Sequence, residues 1–206
     1  MNLKIKFNQN EIISESNSQA SQDIFVLSCL NGKRNGTFLD LGSNDAKWIN
    51  NTYILETLFD WTGVSIDIDP SHSNSYSSRK TPFLALDCTK LDFDDIKSRY
   101  ETNHIDYLSL DLEPASVTFE CLTKIPFNEI EFSVITYEHD SYRFGDEYKI
   151  LSRNLLESHG YKRICSNVSN DNYHYEDWYY NPKYVDYDDI KSLESENMEW
   201  SGILYV

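Results

Sequence analysis

Residues 36–45 read Gly36-Thr37-Phe38-Leu39-Asp40-Leu41-Gly42-Ser43-Asn44-Asp45. A short apolar run enters after one glycine and breaks at another, as a buried strand running into a tight turn does. Gly42 permits that turn and a close approach of backbone to a ligand. The turn is not the GxGxxG of dinucleotide sites, nor a P-loop, which needs Gly-Lys-Ser/Thr. Asp40 ahead of the glycine would repel a pyrophosphate and suits a cationic or hydroxyl-bearing ligand. An Asp-x-Gly turn taken alone is equally an ordinary turn, so the surrounding sequence decides.

The alternation continues on both sides. Upstream, residues 23–30 are apolar at helical spacing and Asn31-Gly32 stops them. Downstream, the pattern predicts a helix over 52–60 capped by Asn51 and strands over 64–68 and 83–86. A helix over 93–101 capped by Asp92, a strand over 105–110, a helix over 115–124 and a strand over 132–137 follow. A helix from Asp146 to about residue 159, ended by Gly160, then leads to strands over 161–168 and 177–180. Short apolar strands separated by helix-sized segments predict an α/β fold, a mostly parallel sheet with helices on both faces. Such sheets bind ligands beyond the C-terminal strand ends.

The chain has 206 residues, one domain's worth, since single cores stop growing beyond roughly 250–300. Residues 1–20 are polar and read as a loose arm, and residues 187–206 as an acidic extension packed on the same domain or trailing from it. Lys+Arg is 18 and Asp+Glu is 34, a formal charge of −16. That balance argues against phosphate backbones and anionic membranes, so no nucleic-acid partner is expected. No stretch approaches the ~20 apolar residues of a membrane span, and the N-terminus lacks a signal peptide's apolar core. Cys29, Cys88, Cys121 and Cys165 are too widely spaced for a zinc pattern. They read as reduced, buried thiols in a cytoplasmic protein.

Acids recur at the expected strand ends: Asp67-Ile68-Asp69, Asp87-Cys88, Asp111-Leu112-Glu113 and Glu138-His139-Asp140. An acid at the second strand end would accept hydrogen bonds from a ribose diol, and either Asp67 or Asp69 could point there. Clustered carboxylates repel unless something positive lies between them, which a metal ion, a cationic substrate or a sulfonium would supply. His139 among the acids reads as a general base. The aromatic run Tyr173 to Tyr187 reads as a packed strand edge or a stacking surface.

Taken together, these segments resemble the FkbM-type S-adenosylmethionine-dependent methyltransferases of the class I Rossmann-like superfamily. The stretches carrying the likeness run from Ser21-Gln22-Asp23 through the Gly42 turn, Asn51–Glu56 and Trp61–Pro70 to Ile105–Pro114, Val134–Asp140 and Glu176-Asp177-Trp178. The resemblance implies a methyltransferase domain over 21–186, a seven-stranded three-layer sandwich and S-adenosylmethionine as cofactor. It implies that the turn Asp40–Asp45, with Asp40, Gly42, Ser43, Asn44 and Asp45, wraps the methionine end. The acids Asp67 and Asp69 would hold the ribose hydroxyls, Asp87 would lie near adenine and Asp111 beside the sulfonium, and Gln22, Thr52, Glu56, Ile68, Cys88 and Leu112 would complete the cofactor site.

His139, Asp111 and Glu138 are the expected catalytic groups. Glu113, Asp140, Tyr142, Arg143 and Trp178 fall on the acceptor side. Some sugar O-methyltransferases of the superfamily place magnesium among such acids, so an Mg²⁺ site on Asp111 and Glu138 is a reading to test. The expected reaction is O-methylation of a hydroxylated small molecule such as a sugar, nucleotide sugar or glycan precursor, with a homodimer allowed for. A degenerate fold used only for binding, or another small-molecule or peptide acceptor, are the alternatives. Many relatives have glycine where Ala46 stands, which costs roughly 1–2 kcal/mol if that residue must be left-handed.

Overall fold

The computed structural model describes residues 5–7, 11–13, 15–170 and 173–199. Seven strands form one sheet: β3 (Thr37–Leu41), β4 (Thr62–Asp67), β5 (Phe83–Ala85), β6 (His104–Leu110), β7 (Glu131–Glu138), β8 (Lys162–Asn170) and β9 (Tyr173–Tyr180). Their order is β5-β4-β3-β6-β7-β9-β8. The first five are parallel, and β9 runs antiparallel to both β7 and β8. Two short strands, β1 (Ile5–Phe7) and β2 (Glu11–Ile13), pair separately as a hairpin.

The connections are α1 (Gln22–Cys29), α2 (Tyr53–Phe59), α3 (Phe93–Ser98), α4 (Ala115–Lys124), α5 (Ser141–Phe144), α6 (Glu147–Ser158) and α7 (Tyr187–Ile190). A 3-10 helix over Pro70–Ser78 joins β4 to β5. It begins where Asp69 accepts the Ser71 amide ahead of Pro70, a capped start with proline in the first turn.

Alternation along the strands sends side chains into two buried clusters. Phe38 and Tyr107 pack with α1, α2 and α7 through Phe25, Leu55 and Ile190. Leu39, Leu41, Leu108 and Leu110 pack with α3, α4 and α6 through Ile96, Leu122 and Leu156. All four cysteines are buried free thiols. No described helix is long and apolar enough to cross a membrane.

Towards both ends of the chain, described residues pack on the domain. Within the expected arm, the Asp23 carboxylate accepts from Ser16 Oγ at 2.7 Å, the Asn17 amide at 2.9 Å and Ser18 Oγ at 2.8 Å, so residues 16–18 wrap the start of α1. Within the expected extension, Ile190, Leu193 and Met198 are buried, and Ser195 and Glu199 bridge to Cys165 and Ser169 of β8.

Candidate functional site

The chain crosses from β3 to β4 on one side while β6 lies on the other, so the turns after β3 and β6 diverge. Ligands bind at such switch points in doubly wound sheets. A cleft of about 650 Å³ opens there, lined after β3 by Asp40, Gly42, Ser43 and Asn44. Asp67 and Ile68 line it after β4, Asp87, Cys88 and Thr89 after β5, and Asp111, Leu112 and Glu113 after β6. Glu138 and Tyr142 line it beyond β7. The volume falls in the roughly 300–1,000 Å³ range of small-ligand sites.

The turn is built to be close. Gly42 has φ +87°, and a Cβ there would lie 1.6 Å from the Asp111 carbonyl oxygen. The Gly42 and Ser43 amides both donate to the Ile66 carbonyl, at 2.9 and 3.0 Å, and the Asp111 amide donates to Leu41 at 3.0 Å. Three strand ends are thereby tied together. Asp67 accepts from the Asn44 amide at 3.0 Å and the Asp69 amide at 2.8 Å. Ala46 is not among the residues at positive φ, so its methyl carries no left-handed penalty. The left-handed residues of this loop are Asn44 (φ 49°) and Ile49 (φ 45°).

The lining holds Asp40, Asp67, Asp87, Asp111, Glu113, Glu120 and Glu138, and no Lys, Arg or His among the described residues. Burial pushes Asp40 up to about 6, against hydrogen bonds from Ser109 and Thr52 and the charge of Arg79. Burial likewise pushes Asp111 up to about 6, against a hydrogen bond with Glu138. Burial and the charge of Asp111 raise Glu138 well above the carboxylate range. Two buried carboxyls this close resist ionising together, so the pair holds a proton more readily than either acid would alone. Ser43 Oγ and Asn51 Oδ1 are buried in the lining without a protein partner. Such orphaned atoms call for a ligand or water.

The structure brings Asp40, Gly42, Ser43, Asn44, Asp67, Ile68, Asp87, Cys88, Asp111, Leu112, Glu113, Glu138 and Tyr142 to one cleft. The other expected residues lie elsewhere. Thr52 is behind the wall, donating to Asp40 Oδ2 at 3.0 Å. Glu56 is deeper, 2.9 Å from the Arg79 guanidinium. Gln22 is buried and donates to Glu176 at 3.0 Å. Asp45 accepts the Lys47 and Trp48 amides, and Asp69 caps the 3-10 helix. Asp140 is buried with φ 48°, and Arg143 ties it to Glu113 at 3.6 and 2.7 Å.

His139 does not reach the cleft. It is fully buried, its Nδ1 accepts the Ser141 amide at 3.1 Å, and its Nε2 faces Asp177 at 3.7 Å. Burial lowers its pKa despite Asp177. A neutral ring turned into the core and capping α5 is not placed to take a proton from a ligand. Trp178 is also corrected. β9 is an interior strand, and the indole is fully buried against Phe25, with ring centroids 4.5 Å apart. Among the described residues no group of three or more His, Cys, Asp or Glu side chains is arranged to hold a metal ion, so the magnesium reading has no support.

Several residues at the site carry no signal that sequence reading could use. Gln19 and Ile49 line the cleft from segments without periodicity. Asn50 and Arg79 lie behind it, and nothing in Ser78-Arg79-Lys80-Thr81 marks Arg79 as buried and Lys80 as exposed.

No family model matches the chain, and no curated protein matches it. Solved structures do. An rRNA methylase from Streptococcus thermophilus superposes with a TM-score of 0.52 at 12% identity, covering 82% of this chain and 98% of that one. A human methyltransferase 10 domain containing protein gives 0.51 at 11%, covering 89% of each. A delta-N METTL16 methyltransferase domain gives 0.50 at 12%, covering 81% and 83%. The chain has the α/β fold of these methyltransferases. The expectation of a sugar-like acceptor with nucleic acid excluded is overturned here, because the fold is shared with an rRNA methylase.

Proposed function

We propose that the chain is an S-adenosylmethionine-dependent methyltransferase of the FkbM type. One observation carries this reading: a cleft at the switch point of a methyltransferase-like sheet, lined by seven acids and no basic residue. A cofactor with a sulfonium, an ammonium and a single carboxylate complements that lining, whereas a dinucleotide pyrophosphate does not. The orphaned Ser43 Oγ and Asn51 Oδ1 supply hydrogen-bonding positions at the methionine end. Asp67 would hold the ribose hydroxyls, Ile68 and Asp87 the adenine, and Asp40 and Asp111 the cationic end.

Bound there, the cofactor supplies a methyl carbon activated by its sulfonium. The chain's own residues align the acceptor and exclude water. The Asp111–Glu138 pair is placed to accept the proton of an acceptor hydroxyl or amine. Asp111 and Glu113 offer carboxylate oxygens to the cleft, so an acceptor that brings hydrogen-bond donors suits it. Tyr142, half exposed and held edge-on by Tyr173 at 5.4 Å, offers a face on which a planar base could stack. A nucleobase bearing an amino group fits these demands, its phosphates remaining outside the acidic cleft.

The test incubates the full chain with methyl-labelled cofactor and RNA, nucleosides or small hydroxylated and amine acceptors, read by mass spectrometry. Transfer to a base that is lost in Asp111→Asn is expected. Cofactor binding without transfer to any acceptor would favour the degenerate, binding-only fold instead.

A further inference from the structure

The loop from Ser43 to Thr52 forms one wall of the cleft through Ser43, Asn44, Ile49 and Asn51. It is neither helix nor strand, and beyond the local bonds of Asn44 and Asp45 it is held by side chains packed behind it. Arg79 lies directly behind it, its side chain 1% exposed. Nη1 donates to the Ala46 carbonyl at 2.7 Å and to Asn50 Oδ1 at 3.3 Å. Nη2 donates to the Thr52 carbonyl at 3.4 Å and to Thr52 Oγ1 at 3.3 Å. Glu56, 3% exposed, lies 2.9 Å from Nε. The rings of Tyr53 and Tyr76 lie 5.7 and 5.5 Å from the guanidinium.

Two relays carry this grip to the wall. Asn50 Nδ2 donates to the Ser43 and Asp45 carbonyls at 3.0 and 2.9 Å. Thr52 Oγ1 donates to Asp40 in the lining at 3.0 Å. Glu56 is itself fixed by the Lys80 amide at 2.7 Å and the Thr81 amide at 3.2 Å.

A buried ion pair is weak evidence of a stabilising role, since apolar residues of similar volume often serve as well. What arginine does that they cannot is present a planar fan of donors in fixed directions. Ile49, at φ 45°, sits between the Ala46 and Asn50 positions that the fan holds. A β-branched residue rarely adopts a left-handed backbone, and such strain persists only where the surroundings over-determine it.

We infer that Arg79, oriented by Glu56, is a positioning residue that sets the cleft wall carrying Ser43, Ile49 and Asn51 for the bound cofactor without touching it. The cofactor half of this inference rests on the reading of the cleft as an S-adenosylmethionine site.

Arg79→Lys keeps the charge and loses the fan. Amide hydrogen exchange over residues 43–52 and calorimetric affinity for S-adenosylhomocysteine are measured beside the thermal midpoint. Exchange faster by about tenfold in that loop, with β3 and β6 unchanged, is expected. Affinity should fall about ten- to a hundredfold.

Unchanged exchange would overturn the clamp, and affinity within about twofold of wild type despite faster exchange would overturn the positioning role. If Arg79→Lys does not fold, the uncharged pair Arg79→Met with Glu56→Gln is measured in the same way. Wild-type stability with affinity still down supports positioning, recovery of both shows a merely structural pair, and failure of this variant to fold as well also counts as structural. A wild-type chain that binds no cofactor refutes the reading of the cleft and the cofactor half with it, while the exchange result still decides the clamp.

Discussion

Gly42 shows how far a single position can be argued. Its left-handed φ and the 1.6 Å approach of any Cβ to the Asp111 carbonyl make alanine doubly costly there. Gly42→Ala should lose at least about 2 kcal/mol of stability and most cofactor affinity, read by denaturant titration and calorimetry; near-wild-type values in both would show that the turn opens without cost. His139 teaches the opposite lesson. An acid-flanked histidine reads as a base in sequence, yet its ring faces inward to Asp177 and the Ser141 amide. His139→Gln should lower stability by about 1–3 kcal/mol and leave the pH dependence of turnover unchanged. A lost basic limb in that profile would restore the histidine to the mechanism. Asp40, Asp67 and Asp111 were legible because strand ends are where ligands lie. Asn50 and Arg79 were not, because hydrogen bonding to a loop's own carbonyls leaves no periodic trace.

At the scale of elements, α4 (Ala115–Lys124) and β3 (Thr37–Leu41) were legible to the residue, since each is a periodic run between clear stops. The place of β9 was not. Residues 177–180 read as a short strand, but the element begins at Tyr173 and inserts between β7 and β8. Alternation reveals a strand and not its neighbours, so Tyr175, Trp178, Tyr179 and Tyr180, read as a strand edge, are buried in an interior strand while Tyr173 stays exposed. That insertion sets Glu176 opposite Glu138. Burial, with the charge of Asp111, pushes Glu176 up to about 8. A raised acid stabilises the fold fully below its unfolded pKa, and that contribution is lost as pH rises through the folded value. Glu176→Gln should therefore flatten the fall in thermal midpoint of the ligand-free protein between about pH 5 and 8, the range between the unfolded and folded values. An unchanged slope would mean that the carboxyl is not neutral in the fold.

Over the whole molecule, seven of the 34 Asp and Glu residues line the cleft, and it is the buried acids whose titration has consequences. Asp40 and Asp111, each pushed to about 6, and Glu176 all weaken the ligand-free fold as pH climbs. Asp177 works the other way. Burial raises it, but the nearby His139 ring and the hydrogen-bonded Arg153 guanidinium outweigh that and leave it depressed. Its contribution is present above its unfolded pKa and lost as pH falls. Ligand-free stability should thus peak in weak acid, while a cationic ligand should bind better once Asp40 and Asp111 ionise. Calorimetric titration of S-adenosylmethionine into the full chain at about pH 5 and about pH 8 tests this directly. One site is predicted, with a dissociation constant on the order of 1–100 µM at the higher pH. Affinity should be weaker by about tenfold at the lower pH and again in Asp111→Asn. No heat at millimolar cofactor, or an affinity indifferent to both pH and Asp111, would contradict the assignment of the cleft.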